Sequence, residues 1–272
     1  MNITFIGGGN MATALIGGLL NGKFYTAEEL SAVEVNEEAC ARLRKQFSIR
    51  TTDDLAQGIA NSNIIVLSVK PQQLREVCTQ LAPLLNSQLI VSIAAGIRAQ
   101  DISRWLKTEN VVRCMPNTPA LIQSGVTGLY ALPKVSLANK QITEHILNAV
   151  GSTVWLQEEV MLDGVTAISG SGPAYVFYFI EAMQQAAKEL GFDEVQAKRL
   201  VLDTFLGAAK LAETSQDEVS VLRARVTSKN GTTERALLSM QANAVKQHIV
   251  AAVHAAALRS KEMGDELGGK VC

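Results

Sequence analysis

Two loops of this 272-residue chain combine glycine with small or hydroxylated residues, and each opens onto a helical run. The first is "FIGGGNMATALIGG", which sets Gly7, Gly9 and Ala12 in a G-x-G-x-x-A spacing directly after a β-branched stretch. Gly7 permits a tight turn, Gly9 lets bare backbone approach a pyrophosphate, and the small Ala12 keeps the helix close to the strand. Free N–H groups at the start of such a helix attract phosphate. The expected dinucleotide contacts here are Ile6, Gly7, Gly8, Gly9, Asn10, Met11 and Ala12.

The second loop lies near the other end of the chain, in "VTSKNGTTERALLSM". Ser228, Thr232 and Thr233 offer hydroxyls, and Gly231 lets backbone N–H groups point inward. A helix beginning at about Thr232 adds its positive end, which makes the loop a nest for a carboxylate. The competing interpretation is an ordinary helix N-cap, in which a hydroxyl bonds the N–H groups of its own first turn.

Other segments should complete the dinucleotide site. "LSAVEV" should end at the residue that reads the adenosine ribose, and Glu34 stands there with Asn36 close by. A carboxylate favours NAD, whereas Asn36, Arg42 and Arg44 leave room for the 2′-phosphate of NADP, so both cofactors stay open. "LSVKPQ" brings Ser68, Val69, Lys70 and Pro71, and "SIAAG" brings Ala94, Ala95 and Gly96. Both stretches end strands, where open α/β sheets bind ligands. Small residues at 94–96 would let a nicotinamide ribose lie close.

A nicotinamide transfers hydride by its own chemistry, and the protein orients it. Reduction of a carbonyl leaves an alkoxide that needs a proton donor. "ISGSGPAYVFYFIEAM" contains no lysine or histidine, and its Tyr175 and Tyr178 read as packing residues. A protonated imine needs no strong acid. It needs an anchor, and the Ser228–Thr233 loop provides one.

These residues need a scaffold. Over the first half, strand-like runs ("NITFIG", "LSAVEV", "NIIVLSV", "QLIVSIAA", "NVVRCMP", "GVTGLYAL", "STVWLQ") alternate with helical patterns, which implies a parallel sheet covered on both faces. After about Glu158 the strand patterns stop. Residues 172–190, 193–213 and 232–263 read as helices, with "GFDE" supplying a glycine stop and an aspartate start. The expected fold class is α/β then all-α, with a dinucleotide-binding domain at 1–158 and a helical domain at 159–272. "IVAAVHAAAL" is apolar nearly all round, so a second subunit is expected to cover it. The tail "GDELGGKVC" is expected to fray.

Hydrophobic residues make up 47%, charged residues 19%, and the net charge is -1, so there is no basic excess to bind nucleic acid. The N-terminus lacks a signal-peptide pattern and no apolar run reaches the ~18 residues of a membrane span, which makes the cytoplasm the expectation. The four cysteines (Cys40, Cys78, Cys114, Cys272) and three histidines (His145, His248, His254) are scattered, so no metal site is expected.

Four motifs together resemble the pyrroline-5-carboxylate reductase family over nearly the whole chain: "FIGGGNMA", "VKPQ", "RCMPNTPA" with "GSGPAY", and "LRARVTSKNGTTERALLSMQ". The resemblance implies a Rossmann-type doubly wound sheet followed by a helical dimerisation domain. It implies NAD(P)H-dependent reduction of 1-pyrroline-5-carboxylate to L-proline by a homodimer, with a ring of dimers left open. Carried over, Ser228, Gly231, Thr232 and Thr233 hold the substrate carboxylate, and Thr233 also bonds the ring nitrogen as the catalytic residue. Met115, Pro116 and Asn117 line the nicotinamide side. One departure is Ser228-Lys229-Asn230-Gly231, where the family usually reads Ser-Pro-Gly-Gly; asparagine tolerates the left-handed angles such a turn needs. A β-hydroxyacid dehydrogenase of the same architecture would place a lysine on its helical domain, and none lies between Lys140 and Lys188.

Overall fold

The computed structural model describes residues 1–269. Its sheet has eight strands: β1 (Ile3–Ile6), β2 (Leu30–Val33), β3 (Arg50–Thr52), β4 (Ile64–Leu67), β5 (Leu89–Ser92), β6 (Val111–Met115), β7 (Gly125–Ala131) and β8 (Gly151–Trp155). They lie in the order β3-β2-β1-β4-β5-β6-β7-β8. All neighbours are parallel except β6 and β7. The sequences of β1, β4 and β5 are unbroken apolar runs, or nearly so, and every residue in them is buried. That is what helices on both faces of a parallel sheet require.

The winding reverses between β1 and β4, and the crevice beyond that point is where doubly wound sheets bind ligands. Ile6 pairs with Leu67, Leu67 with Ser92, and Ser92 with Arg113. The loops that follow β1, β4, β5 and β6 therefore leave the sheet in one row.

Helix Glu37–Phe47 shows how local sequence sets these elements. The Asn36 side chain caps it by accepting from Ala39 N at 2.8 Å, acids occupy its first turn and Arg44 and Lys45 its last, and Ser48 ends it at φ 57°. Ala39, Cys40 and Leu43 face the core.

Packing divides the chain into two compact units, Met1–Ser171 together with the residues from Ala256 on, and Gly172–Ala255. Sequence texture suggested a division at Glu158 instead. Met161–Val165 stays with the sheet because it packs on β7, where a Cβ on Gly128 would sit 2.8 Å from Val165, and the π-helical turn Thr166–Gly170 because Asn117 Nδ2 donates to Ser169 O at 3.2 Å.

The C-terminal residues return to the first unit through small side chains spaced four apart: Ser260, Gly264 and Gly268 are buried. Ser260 Oγ lies 2.7 Å from Asp163 Oδ1, and a Cβ on Gly264 would stand 2.9 Å from Gly96 O. Arg104 joins Asp101 Oδ1 at 2.7 Å and Gly268 O at 2.9 Å. The expected fraying is therefore corrected for Gly264–Gly268, which is helical and packed. Lys270, Val271 and Cys272 lie outside the described residues.

In the second unit, helices Gly172–Glu189 and Glu194–Thr214 pack as a pair. Gly191 at φ 96° stops the first, and Asp193 caps the second by accepting from Gln196 N at 2.8 Å, as "GFDE" implied. Among the described residues of this unit only Ala197 and Val201 are buried. Phe177, Tyr178, Leu206 and Val250 stand exposed. A chain does not leave so much large apolar surface in water without something to cover it.

One further reading is corrected, and three short elements were not read from the sequence. The single helix expected at 232–263 is two, Thr232–Ala242 and Val245–Gly268, broken where Ala244 takes φ 51°. Asn243 caps the break, its Nδ2 donating to Ser239 O at 2.8 Å. The edge strand β3, of mixed burial, and the short helices Leu55–Ile59 and Val219–Arg225 carry too little periodicity to be read from the sequence.

Candidate functional site

The first glycine loop has the geometry its spacing implies. Gly7 sits at φ 102° and its N–H donates to Val33 O at 2.8 Å. A Cβ there would stand 2.9 Å from the Ser68 carbonyl. Ser68 Oγ closes the same corner, 2.9 Å from Ile6 O and 2.8 Å from Gly7 O. Gly9 differs: it is the N-cap of helix Asn10–Asn21, no side chain caps that helix, and a Cβ on it would meet nothing within 4 Å. Space over bare backbone, beside uncapped N–H groups, fits a pyrophosphate. Ala12 is fully buried against the strand, Asn10 is exposed and Met11 half-buried.

Glu34 follows β2 and is bound into the loop. Its Oε2 accepts from Gly8 N at 2.7 Å and its Oε1 from Asn36 N at 2.9 Å. Each oxygen keeps a lone pair. Asn36 is occupied as a helix cap through Oδ1. Arg42 donates to Gly8 O at 2.9 Å, while Arg44 donates to Thr51 Oγ1 at 2.8 Å and pairs with Glu37. Each of these exposed guanidinium groups keeps further N–H donors, so a 2′-phosphate stays open to them.

The loops after β4, β5 and β6 complete the row. Lys70 is exposed at the N-cap of helix Pro71–Leu81, whose first residue is the favoured proline, and Val69 packs against the core. Ala94 is buried and Ala95 half-buried. Gly96, at φ 76°, does not leave open space: a Cβ there would lie 3.2 Å from Met263 Cβ. Its smallness serves the C-terminal helix. Pro116 is buried and Met115 half-buried, its Cε 2.6 Å from where a Gly170 Cβ would be. Asn117 is committed to the framework, with Oδ1 accepting from Val126 N at 2.9 Å and Nδ2 donating to Ser169 O at 3.2 Å.

Two features here were not foreseen. Arg113, 3% exposed, donates to Glu159 Oε1 at 2.9 Å, and the same oxygen accepts from Ala99 N at 2.6 Å. The one charge inside the "VVRCM" strand run was the signal available for it. The other is the π-helical turn Thr166–Gly170, directly before "SGPAY". Such turns recur at functional sites. In the helix that follows, Tyr178 is 72% exposed, and Tyr175 Oη is buried without a hydrogen-bond partner.

The hydroxyl loop belongs to the second unit. Its N-cap is Gly231, and no side chain bonds the free N–H groups of helix Thr232–Ala242. The ordinary hydroxyl cap is therefore not what the loop forms. Thr233 is half-buried, Ser228 and Thr232 are exposed, and Asn230 takes the left-handed conformation at φ 59°.

Cys78 and Cys114 are buried and their thiols pushed up by desolvation, Cys78 to about 12, so neither is a nucleophile at neutral pH.

Residues 159–263 match the family model described as pyrroline-5-carboxylate reductase dimerisation, and residues 2–96 match NADP oxidoreductase coenzyme F420-dependent. The chain is 47% identical to a pyrroline-5-carboxylate reductase of Pseudomonas aeruginosa, over 98% of each chain. Among solved structures, a pyrroline-5-carboxylate reductase of Coxiella burnetii is 37% identical with a TM-score of 0.90, covering 97% of this chain and 98% of that one. The Plasmodium falciparum pyrroline carboxylate reductase with NADP bound is 30% identical with a TM-score of 0.88, over the same shares.

Proposed function

Because the chain belongs to the pyrroline-5-carboxylate reductase family, we propose that it reduces 1-pyrroline-5-carboxylate to L-proline with NADPH or NADH, the last step of proline biosynthesis. The observation within the structure that best supports this reading is the uncapped helix start at Gly231, a donor set made for a carboxylate. The nicotinamide, when bound, supplies the hydride. The residues from Ile6 to Ala12 would hold the pyrophosphate of the dinucleotide, Glu34 would hold its adenosine ribose, and the segments 68–71, 94–96 and 115–117 would flank the rest.

Ser228, Gly231, Thr232 and Thr233 anchor the substrate carboxylate, and Thr233 hydrogen-bonds the ring nitrogen. Hydride adds to the imine carbon, the π electrons pass to nitrogen, and nitrogen keeps its proton. No lysine or histidine acid is needed for that step. The exposed apolar faces of helices Gly172–Glu189 and Glu194–Thr214 support a homodimer as the working form, and rings of such dimers are one way to assemble further. No described helix is long and apolar enough to cross a membrane, and a biosynthetic role suits the cytoplasm.

The test is steady-state reduction of 1-pyrroline-5-carboxylate, followed at the nicotinamide absorbance with each cofactor in parallel. Turnover is expected. A folded dimer inactive with both cofactors would refute the reading, and other cyclic imines would be screened next.

A further inference from the structure

The turn Ser228–Gly231 has the φ signature of a type II turn. Gly231 N–H donates to Ser228 O at 3.0 Å, Asn230 has φ 59°, and Lys229 is not in the positive-φ region. Such a turn favours proline at its second position and glycine at its third. This chain has Lys229 and Asn230 instead. Lysine leaves φ free in the unfolded chain where proline would fix it, and asparagine only tolerates the left-handed region. The turn's own residues hold it weakly.

Glu234 holds it from outside. Its Oε2 accepts the Asn230 N–H at 2.6 Å, a short, charge-assisted bond. Glu234 is the third residue of helix Thr232–Ala242, the position from which a capping-box carboxylate reaches the N-cap N–H. Here the N-cap N–H of Gly231 is taken by Ser228 O, and Glu234 reaches one residue further back. It thereby ties the turn to the helix whose free N–H groups the turn must present.

We propose that Glu234 is a positioning residue for the substrate: it locks the Lys229–Asn230 turn in the shape that presents Ser228 and the first helical turn to the substrate carboxylate. This rests on the reading of the loop given under Proposed function. A carboxylate acting only on the helix dipole would support the helix without regard to the turn's own sequence, and that difference makes the role testable.

KM and kcat for 1-pyrroline-5-carboxylate are measured for the wild type, Glu234→Ala, Glu234→Gln and the triple variant Glu234→Ala/Lys229→Pro/Asn230→Gly, with dinucleotide affinity read separately by fluorescence titration. Glu234→Ala is expected to raise KM about tenfold, with the smaller part of the effect in kcat and dinucleotide affinity unchanged. Glu234→Gln keeps an acceptor and should stay within about threefold of the wild type. The triple variant should return KM to within about threefold, because proline and glycine restore the restraint inside the turn. A wild-type KM in Glu234→Ala, or a KM still raised in the triple variant, would overturn the proposal. Absence of turnover in the wild type would instead overturn the function itself.

Discussion

Glu34 and Gly8 are joined across the dinucleotide loop, the carboxylate accepting the glycine N–H at 2.7 Å while its other oxygen holds the N–H of Asn36. A carboxylate fixed this way offers acceptors to two ribose hydroxyls and repels a 2′-phosphate. Glu34→Gln should move the ratio of kcat/KM for NADH over NADPH toward NADPH by about tenfold. An unchanged ratio would leave Glu34 as loop architecture alone.

Gly7 and Gly9 predict opposite failures. A Cβ at Gly9 meets nothing within 4 Å, so Gly9→Val should fold with a near-native Tm yet lose dinucleotide binding. Gly7→Ala, at φ 102° and 2.9 Å from the Ser68 carbonyl, should lose about 1–3 kcal/mol of stability. Melting curves and dinucleotide titrations of the two variants, side by side, check this. A Gly9→Val protein that still binds would remove the pyrophosphate from that cradle.

Thr233→Ala should lower turnover roughly tenfold while sparing dinucleotide affinity, because in the proposed function the lost hydroxyl serves the substrate. Equal loss of both would refute the assigned role.

Arg113 and Glu159 form a mostly buried ion pair, with side chains 3% and 18% exposed. Arg113→Met strands the carboxylate and should cost about 3–5 kcal/mol in urea unfolding. Adding Glu159→Gln should recover part of it, since the glutamine oxygen can still accept from Ala99 N. A single variant as stable as the wild type would show that Glu159 finds water instead.

The sequence carried those parts of the fold that repeat. Helix Glu37–Phe47 coincides with the run "EEACARLRKQF", because cap, charge and apolar spacing all agree there. The spacing of Gly7, Gly9 and Ala12 located a loop whose geometry depends on its own residues. Gly96 shows the limit. Its small size was read as room for a ligand, and nothing local showed that Met263, far along the chain, also packs against it, because no local pattern announces a long-range contact. The framework bonds of Asn117 and the Glu159 partner of Arg113 were hidden for the same reason, although the lone charge in "VVRCM" marked Arg113 itself. The break at Ala244 was hidden differently: an alanine inside a helical run carries no mark of a left-handed residue.

The last helix has a consequence for how the protein is made. Helix Val245–Gly268 begins in the helical unit, but its final turns belong to the sheet unit, where they cover Gly96, bond Asp163 and meet Arg104. Synthesis runs from the N-terminus at about 5–20 residues per second, and domains ordinarily fold in the order they emerge. Here the first unit to appear is the last to be finished. Its nascent form waits, with the Gly96 corner uncovered, until the residues up to Gly268 have been translated.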